Sequence, residues 1–171
     1  MKLGMLFLLC LPLLAESKSL DLSQGHFVAG GAASTALLLD KNDNAGWRFD
    51  LRPSFGFFAL DRFSIEGNAK LLIDPVQGAE TNVWGAGILF RYYFKLHDIL
   101  FPYVGFGGDA EWISKEFRGA SVQFPIGLLI GLNETVAIDI GLPIRLFIPN
   151  YDKGLVLVEL PIGYYGLKAV F

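Results

Sequence analysis

Side chains that could catalyse a reaction are few in this 171-residue sequence. His26 and His97 are its two histidines and therefore its candidate general bases near neutral pH. Asp109 and Glu111 could act as an acid–base pair of carboxylates. The stretch DKNDNA (40–45) carries oxygen ligands suited to calcium, although it lacks the spacing and the glycine of an EF-hand loop. A solvated histidine, an ion-paired carboxylate and a plain polar loop explain the same patterns without any chemistry.

The composition argues against other kinds of site. Cys10 is the single cysteine, so the chain can form no internal disulfide, and two histidines are too few for a His-rich metal site. No glycine-rich loop leads from a strand into a helix, as a phosphate-binding loop would. The formal net charge is −3 and no basic stripe is present, which argues against nucleic-acid binding. We therefore expect no metal, no cofactor and no nucleic-acid partner.

The N-terminal residues 1–17 have the pattern of a secretory signal peptide. A lysine precedes an apolar segment, and Ala15 or Ser17 offers the small residue for cleavage. Lipidation at Cys10 is disfavoured because a bulky leucine precedes it. Residues 18–171 contain no linker or low-complexity tract, and we expect them to form one domain.

Beyond the signal peptide, hydrophobicity alternates with a period of two, which is typical of β-strands with two different faces. In WRFDLRPSFGFF (47–58), apolar and aromatic residues alternate with mostly charged or small ones. Globular strands average about 5–6 residues, whereas a strand that crosses a membrane needs about 9–11, and most segments here are longer still. The pattern predicts eight strands at 26–39, 45–59, 62–74, 81–95, 100–113, 120–132, 135–148 and 155–171.

The connections between these strands alternate in character. Those after odd-numbered strands (DKNDNA, DPVQGAE, SKEFRG and PNYDKG) are polar and rich in turn-forming residues, whereas those after even-numbered strands are tighter. Eight strands joined in this way predict an up-and-down antiparallel barrel with both chain termini at one end. We call that end the turn end and the opposite end the loop end.

Each strand has one charged face, and two environments would suit that face. In a secreted soluble barrel of the lipocalin type, the charged face would meet water and the aromatic face would line a site for an apolar ligand. In a transmembrane barrel the charges would point inward and pair with one another, because unpaired buried charge is costly. The residues predicted to form this interior network are Arg48, Asp50, Arg52, Glu66, Lys70, Arg91, Asp109, Glu111, Asp139, Arg145 and Lys168.

Glycines and aromatic residues favour the transmembrane arrangement. Several glycines share the charged face, where a narrow interior needs small neighbours and a solvated surface does not. Trp47, Trp84 and Trp112 all map to the loop end. Two aromatic girdles at different heights are typical of a chain that meets both interfaces of a membrane. The aromatic residues assigned to the turn end are Phe57, Phe63, Tyr92, Phe94, Phe101, Tyr103 and Phe171.

Three stretches resemble a known family. In YYGLKAVF (164–171), Tyr165, Gly166 and Phe171 resemble the C-terminal assembly signal of bacterial outer-membrane β-barrels, although Ala169 stands where an aromatic residue is usual. LRPSFGFFALDRFSIEG and GILFRYYFKLHDILFPYVGFG resemble the family of small outer-membrane β-barrel domains. The resemblance implies an all-β, eight-stranded antiparallel up-and-down transmembrane β-barrel in the bacterial outer membrane. It also implies outer-membrane lipids and the barrel-assembly machinery as partners.

The residues and the resemblance together predict a structural, porin-like barrel that carries out no catalysis and is a monomer. Some small barrels of this kind modify lipids with a Ser-His-carboxylate arrangement near the outer leaflet. His26 and His97 instead map to the turn end of a barrel about 25 Å tall. A lipid-modifying enzyme of the outer membrane and the secreted soluble barrel are the alternatives.

Prolines inside the predicted strands are expected to disturb them, because proline has no N–H for the ladder. Pro125, Pro143 and Pro161 recur at regular spacing, and we predict β-bulges there. The alternation also predicts a register slip near Pro161, since Glu159 would otherwise face lipid.

Overall fold

The structure is a computed structural model of the chain. It describes residues 19–39, 45–73, 83–113, 116–150, 157–159 and 164–171. The predicted signal peptide, Cys10 and residues 40–44 of the DKNDNA stretch lie outside the described residues. No helix in the described part of the chain is long and apolar enough to cross a membrane.

In the part of the chain that the structure describes, nine strands form one antiparallel sheet that closes on itself. They are β1 (Phe27–Leu39), β2 (Ala45–Leu60), β3 (Phe63–Ile73), β4 (Val83–Tyr93), β5 (Leu100–Ile113), β6 (Glu116–Gly131), β7 (Val136–Pro149), β8 (Leu157–Glu159) and β9 (Tyr164–Val170). Successive strands pair from β1 to β7, and both β8 and β9 pair with β7 as two parts of the eighth strand of the barrel. The predicted eight-stranded up-and-down barrel is therefore confirmed.

The barrel closes between β1 and β9. Six residue pairs join these strands, from Val28 with Val170 to Ala33 with Tyr165. Beyond them, the N–H of Phe27 donates to the carbonyl oxygen of Phe171 at 2.7 Å, and the N–H of Phe171 donates back at 3.0 Å. The C-terminal residue therefore takes part in the closing ladder, and its backbone is not left as an open edge.

β6 begins at Glu116, four residues before the predicted boundary. Glu116 pairs with Ile113 across a register shift that lies between Glu111 and Trp112. The guanidinium of Arg118 lies 3.4 Å from the Glu111 carboxylate, which ties the early part of β6 to β5. Four of the six residues of the predicted SKEFRG loop are therefore strand, because this contact and the continued pairing extend the sheet at the loop end.

Pro125 and Pro143 lie directly opposite each other, and the register of β6 with β7 runs past them without a shift. The predicted bulge at these two prolines is wrong for this pair of strands. Two facing prolines cannot exchange N–H···O bonds, so they fit a regular ladder only as a non-hydrogen-bonded pair. In such a pair each backbone nitrogen points away from the partner, toward the strand on the other side, and that strand receives no N–H from proline. There the regular pairing is interrupted, at Gly105 and Phe106 of β5 and between Gly141 and Arg145 on the far side of β7.

The predicted slip near Pro161 is confirmed by the register of the eighth strand. Glu159 pairs with Arg145 and Tyr164 pairs with Gly141. Five steps along the chain from 159 to 164 thus oppose four steps from 145 to 141. This one-residue change of register places Glu159 opposite a residue of the charged face.

An apolar layer that was not predicted from the sequence fills the interior at the turn end. Almost every strand contributes a side chain to it, and residues 19–25 cover it from below. The buried members are Leu20, Leu22, Val28, Phe58, Tyr93, Phe101, Tyr103, Leu129, Ala137 and Val170. Those members that lie in strands share a strand face with charged or polar residues, so the alternation in the sequence already indicated that they point inward.

A disulfide across the β1–β9 seam should form only in the observed register. Ala29 and Ala169 are register partners, and directly opposed Cα atoms in an antiparallel pair lie about 4.5–5.5 Å apart, which a disulfide can bridge. In a Cys10→Ser background, we expect Ala29→Cys with Ala169→Cys to cross-link on oxidation, as read on a non-reducing gel. Ala29→Cys with Leu167→Cys is the control, since diagonal neighbours are about 7–8 Å apart. Cross-linking of the control pair in preference would contradict the register.

Candidate functional site

The two faces of the barrel wall differ in chemistry. The outside is covered by aromatic and aliphatic side chains such as Phe55, Trp84 and Ile88, each more than half exposed. The charged side chains of the strands are buried inside, with Glu66 at 0% and Arg145 at 1% exposure. This is the reverse of a soluble barrel with an apolar interior. The wall is therefore suited to contact with hydrocarbon, and the candidate functional site is the charged interior.

The interior charges divide into two clusters instead of one network. We call the first the turn-end cluster, which lies above the apolar layer. Its charged members are Glu66, Arg91, Asp139 and Lys168. We call the second the loop-end cluster, and its charged members are Asp50, Arg52, Lys70, Asp109, Glu111 and Arg145. Arg48 lies in β2, but its side chain is outside the described residues.

Glu66 on β3 is the centre of one half of the turn-end cluster. Lys168 on β9 donates to both of its oxygens, at 2.7 and 2.8 Å. The hydroxyls of Ser64 and Tyr93 donate to it at 2.8 and 3.2 Å, and the Arg91 guanidinium lies 3.4 Å away. A buried carboxylate with this many donors keeps its charge at low cost, because each lone pair is satisfied.

Asp139 on β7 is the centre of the other half. Arg91 donates to one of its oxygens at 3.2 Å, and the Tyr103 hydroxyl donates to the other at 2.7 Å. The hydroxyls of Tyr103 and Tyr164 hydrogen-bond to each other, and Arg91 also donates to Tyr164 at 3.4 Å. Tyr164 lies on the inward face predicted for its strand, whereas Tyr103 was predicted to face outward although it occupies an inward position in the alternation of β5.

Two glycines make room for the tyrosine pair. Gly127 and Gly141 face each other across β6 and β7. A Cβ on Gly127 would lie 2.5 Å from the Tyr103 hydroxyl, and one on Gly141 would lie 2.6 Å from both the Tyr103 hydroxyl and the Tyr164 ring. Small residues on the charged face were predicted to accommodate long charged side chains. At these two positions they accommodate tyrosines instead.

Glu111 on β5 is the centre of the loop-end cluster. Lys70 donates to it at 2.8 Å, and Arg145 pairs with the same oxygen. Arg118 approaches the second oxygen at 3.4 Å. Arg145 also donates to the Ser121 hydroxyl at 2.9 Å. Glu111 is thus held between cations from β3, β6 and β7, which compensate its buried negative charge.

Asp109 and Asp50 complete the loop-end cluster. Asp109 accepts from Gln123 at 3.1 Å and lies 3.6 Å from Arg145. Arg52 pairs with Asp50 at 2.7 Å and donates to Gln123 at 3.2 Å. Because both oxygens of Glu111 and those of Asp109 are engaged by neighbours, neither carboxylate is set up as a free acid or base.

Both clusters balance their formal charges. The turn-end cluster has two carboxylates and two cations, and the loop-end cluster has three of each when Arg118 at the rim is left out. A neutral cluster avoids the large cost of an uncompensated buried charge. Removal of one partner would restore that cost.

A small chamber lies between the clusters. Its lining includes Asn68, Ser54, Pro125 and Pro143, and its volume is about 40 Å³. Both polar atoms of the Asn68 amide are buried, and no described residue hydrogen-bonds to either of them. One water molecule needs roughly 10–15 Å³, so the chamber has room for about three or four waters, and we expect waters there to satisfy this amide.

The two histidines lie at the turn end. His26 precedes β1, with its Nε2 3.7 Å from the Asp21 carboxylate. The Ser23 hydroxyl donates to Asp21 and lowers the pKa of that carboxyl. His97 is exposed in the turn between β4 and β5. Among the described residues, no group of three or more His, Cys, Asp or Glu side chains is placed to hold a metal ion.

Outward aromatic residues lie near both ends of the wall, and Phe106 and Phe124 lie between the two ends. Trp84 and Trp112 are register partners at the loop end, while the side chain of Trp47 lies outside the described residues. At the turn end the outward rings include Phe57, Tyr92, Phe94 and Phe171. The assignment of Phe101 and Tyr103 to this girdle is wrong. Both are buried in the interior, because they share the strand face of Asp109 and Glu111.

Known structures share this fold at low sequence identity. The N-terminal β-barrel domain of OprF from Pseudomonas aeruginosa has a TM-score of 0.62 at 14% identity, covering 85% of this chain and 97% of that one. Neisserial surface protein A (NspA) has a TM-score of 0.60 at 16% identity, covering 86% and 97%. No family model and no curated protein matches the chain. The fold is that of the eight-stranded barrels of bacterial outer membranes, as predicted.

Neutralising Glu66 should destabilise the barrel strongly. Glu66→Gln leaves Lys168 buried without its carboxylate, and removing one partner of a buried pair typically costs about 3–5 kcal/mol. The measurement is the free energy of unfolding in urea, with the protein folded in lipid vesicles. Glu116→Gln, at an exposed position of β6, is the matched control, and we expect it to stay within about 0.5 kcal/mol of the parent. Equal effects of the two substitutions would contradict the assigned role of Glu66.

Filling the space beside the tyrosine pair should also be costly. Gly127→Ala places a methyl group against Tyr103 and against the carbonyl oxygen of Ile140, both 2.5 Å from the new Cβ, and overpacking of this kind costs about 1–3 kcal/mol. Gly67→Ala is the control, because Gly67 is exposed on the outer face and its nearest neighbouring atom would lie 3.7 Å from the new Cβ. The same unfolding assay applies. A Gly127→Ala protein as stable as the Gly67→Ala protein would show that the tyrosines can move aside freely.

Proposed function

We propose that this protein is a monomeric integral barrel of the bacterial outer membrane, with a structural, porin-like role and no catalytic activity. The observation that supports this proposal is the filled interior. Ion pairs cross the barrel at two levels, and the chamber between them is about 40 Å³. An eight-stranded barrel has an interior just wide enough for its own side chains, so little space remains for a solute.

The ends of the interior support the same proposal. At the turn end the apolar layer lies below Glu66 and Asp139. At the loop end the Arg118 guanidinium stacks over the ring of Phe147, which is 1% exposed. A large open channel would need both ends and both clusters to rearrange.

Outer-membrane lipids are the proposed surroundings of the wall. Aromatic rings near both ends suit the two interfaces of a bilayer, and the apolar wall between them suits its hydrocarbon core. The short turns and the chain termini then lie in the periplasm, as in other barrels of this architecture.

The barrel-assembly machinery is the proposed partner during insertion, through Tyr165, Gly166 and Phe171. In the closed barrel the backbone of Phe171 is hydrogen-bonded to Phe27. The backbone of the C-terminal assembly signal can therefore bind a partner before the barrel closes, and it is hydrogen-bonded to β1 afterwards.

The positions of the histidines support the absence of lipid-modifying activity. His26 and His97 lie at the turn end, on the periplasmic side of the proposed orientation. A substrate in the outer leaflet would be separated from them by the height of the barrel, about 25 Å.

Membrane fractionation together with heat-modifiability tests this proposal. We expect the protein in the outer-membrane fraction, and we expect unboiled and boiled samples to migrate differently on a denaturing gel. Planar bilayers containing the purified protein should show no large, steady conductance. A protein that is soluble without detergent, a steadily open channel, or fatty-acid release from phospholipid vesicles that is lost in His26→Ala or His97→Ala would each overturn it.

A further inference from the structure

Residues 19–25, which we call the N-terminal strap, cross the turn end of the barrel before β1 begins. The strap alternates between buried and exposed residues. Leu20 and Leu22 are 3% and 4% exposed and belong to the apolar layer, whereas Asp21 and Ser23 are exposed. The strap therefore presents an apolar face to the interior of the barrel and a polar face to solvent.

Hydrogen bonds attach the strap to opposite sides of the opening. The N–H of Asp21 donates to the carbonyl oxygen of Glu134, in the turn between β6 and β7, at 3.5 Å. The carbonyl oxygen of Leu22 accepts from Arg62, in the turn between β2 and β3, at 2.8 Å. These two turns are four strands apart in a ring of eight, so they face each other across the opening. The strap spans it from side to side.

The attachment on the β2–β3 side involves several groups. The N–H of Gln24 donates to the Asp61 carboxylate at 2.9 Å, and the N–H of Gly25 donates to the carbonyl oxygen of Phe58 at 2.9 Å. Arg62 has a φ of 63°, a left-handed conformation that is uncommon for residues other than glycine. The hydrogen bond from Arg62 to Leu22 helps to hold this turn in place.

We propose that the strap is a plug that seals the periplasmic opening of the barrel. With Leu20 and Leu22 docked, the apolar layer is closed from below and separated from water. Without them, the layer that includes Phe58, Leu129 and Ala137 would be open to the periplasm. The proposal concerns the element that closes this end, and it is independent of whether the two charged clusters above it block conduction.

Cysteine labelling in the full-length protein tests the plug. Ala137 is 0% exposed and belongs to the apolar layer, so Ala137→Cys in a Cys10→Ser background reports access from the turn end. The probe is a membrane-impermeant maleimide added to the detergent-solubilised folded protein. Leu96→Cys, at a site that is 72% exposed in the β4–β5 turn, gives the rate of a free cysteine.

With the strap intact, we expect the cysteine at position 137 to react at least 100-fold more slowly than the one at position 96. Adding Leu20→Ser and Leu22→Ser should raise its rate at least tenfold, since the serines weaken docking in the apolar layer. Leu132→Ser is the matched control. It removes a leucine from an exposed site in the β6–β7 turn, and it should leave the rate unchanged.

Three outcomes would overturn the proposal. One is equal labelling at positions 137 and 96 with the strap intact. Another is slow labelling at 137 in a double-serine protein that still shows heat-modifiable migration. If the double-serine protein does not fold, Leu22→Ala takes its place with an expected rise of about threefold, and an unchanged rate in that folded variant is the third.

Discussion

Lipid offers no hydrogen-bond partner to a backbone group, so a sheet that crosses a membrane has to close on itself. In this chain closure depends on the seam between β1 and β9. The seam is short, with six register pairs and the reciprocal bonds between Phe27 and Phe171 at its end. Everything inside the barrel follows from it, because only closure turns one face of each strand into an enclosed interior.

The enclosed charges in turn specify how the strands are aligned. Lys168 of β9 reaches Glu66 of β3, and Arg91 of β4 reaches Asp139 of β7, so the ion pairs connect strands that are not neighbours in the sheet. A slip of one residue in any strand would move its charges to the outer face and its aromatic rings to the interior. Buried ion pairs often add little net stability compared with apolar packing. Their effect here is to make wrong registers expensive.

The interior is organised in layers along the barrel axis. Above the N-terminal strap lie the apolar layer, the turn-end cluster, the small chamber and the loop-end cluster. The facing prolines of β6 and β7 line the chamber, and their missing N–H groups leave gaps in the ladders on either side. The wall is therefore irregular at the level of the chamber.

The sequence by itself determined the strands and their faces. The side-chain period of a strand is local, so alternation alone predicted eight strands within a few residues of their ends, apart from β6. It also predicted the slip before Tyr164. In β5 the same alternation places Phe101 and Tyr103 on the inward face of Asp109 and Glu111, because all four occupy odd-numbered positions of the sequence. Two features of the sequence, the charged face and the C-terminal aromatic residue, sufficed for the class of barrel.

Only the tertiary structure decided which groups meet. Glu66 and Lys168 are 102 residues apart, and their contact depends on the stagger of all the strands between them. The same holds for Gly127 and Gly141, whose role appears only when the tyrosines of β5 and β9 converge beside them. The strap is the clearest case of a contact that the sequence alone does not predict. Leu20 and Leu22 alternate with polar residues like any strand, but the opening that they cover exists only after the barrel has closed.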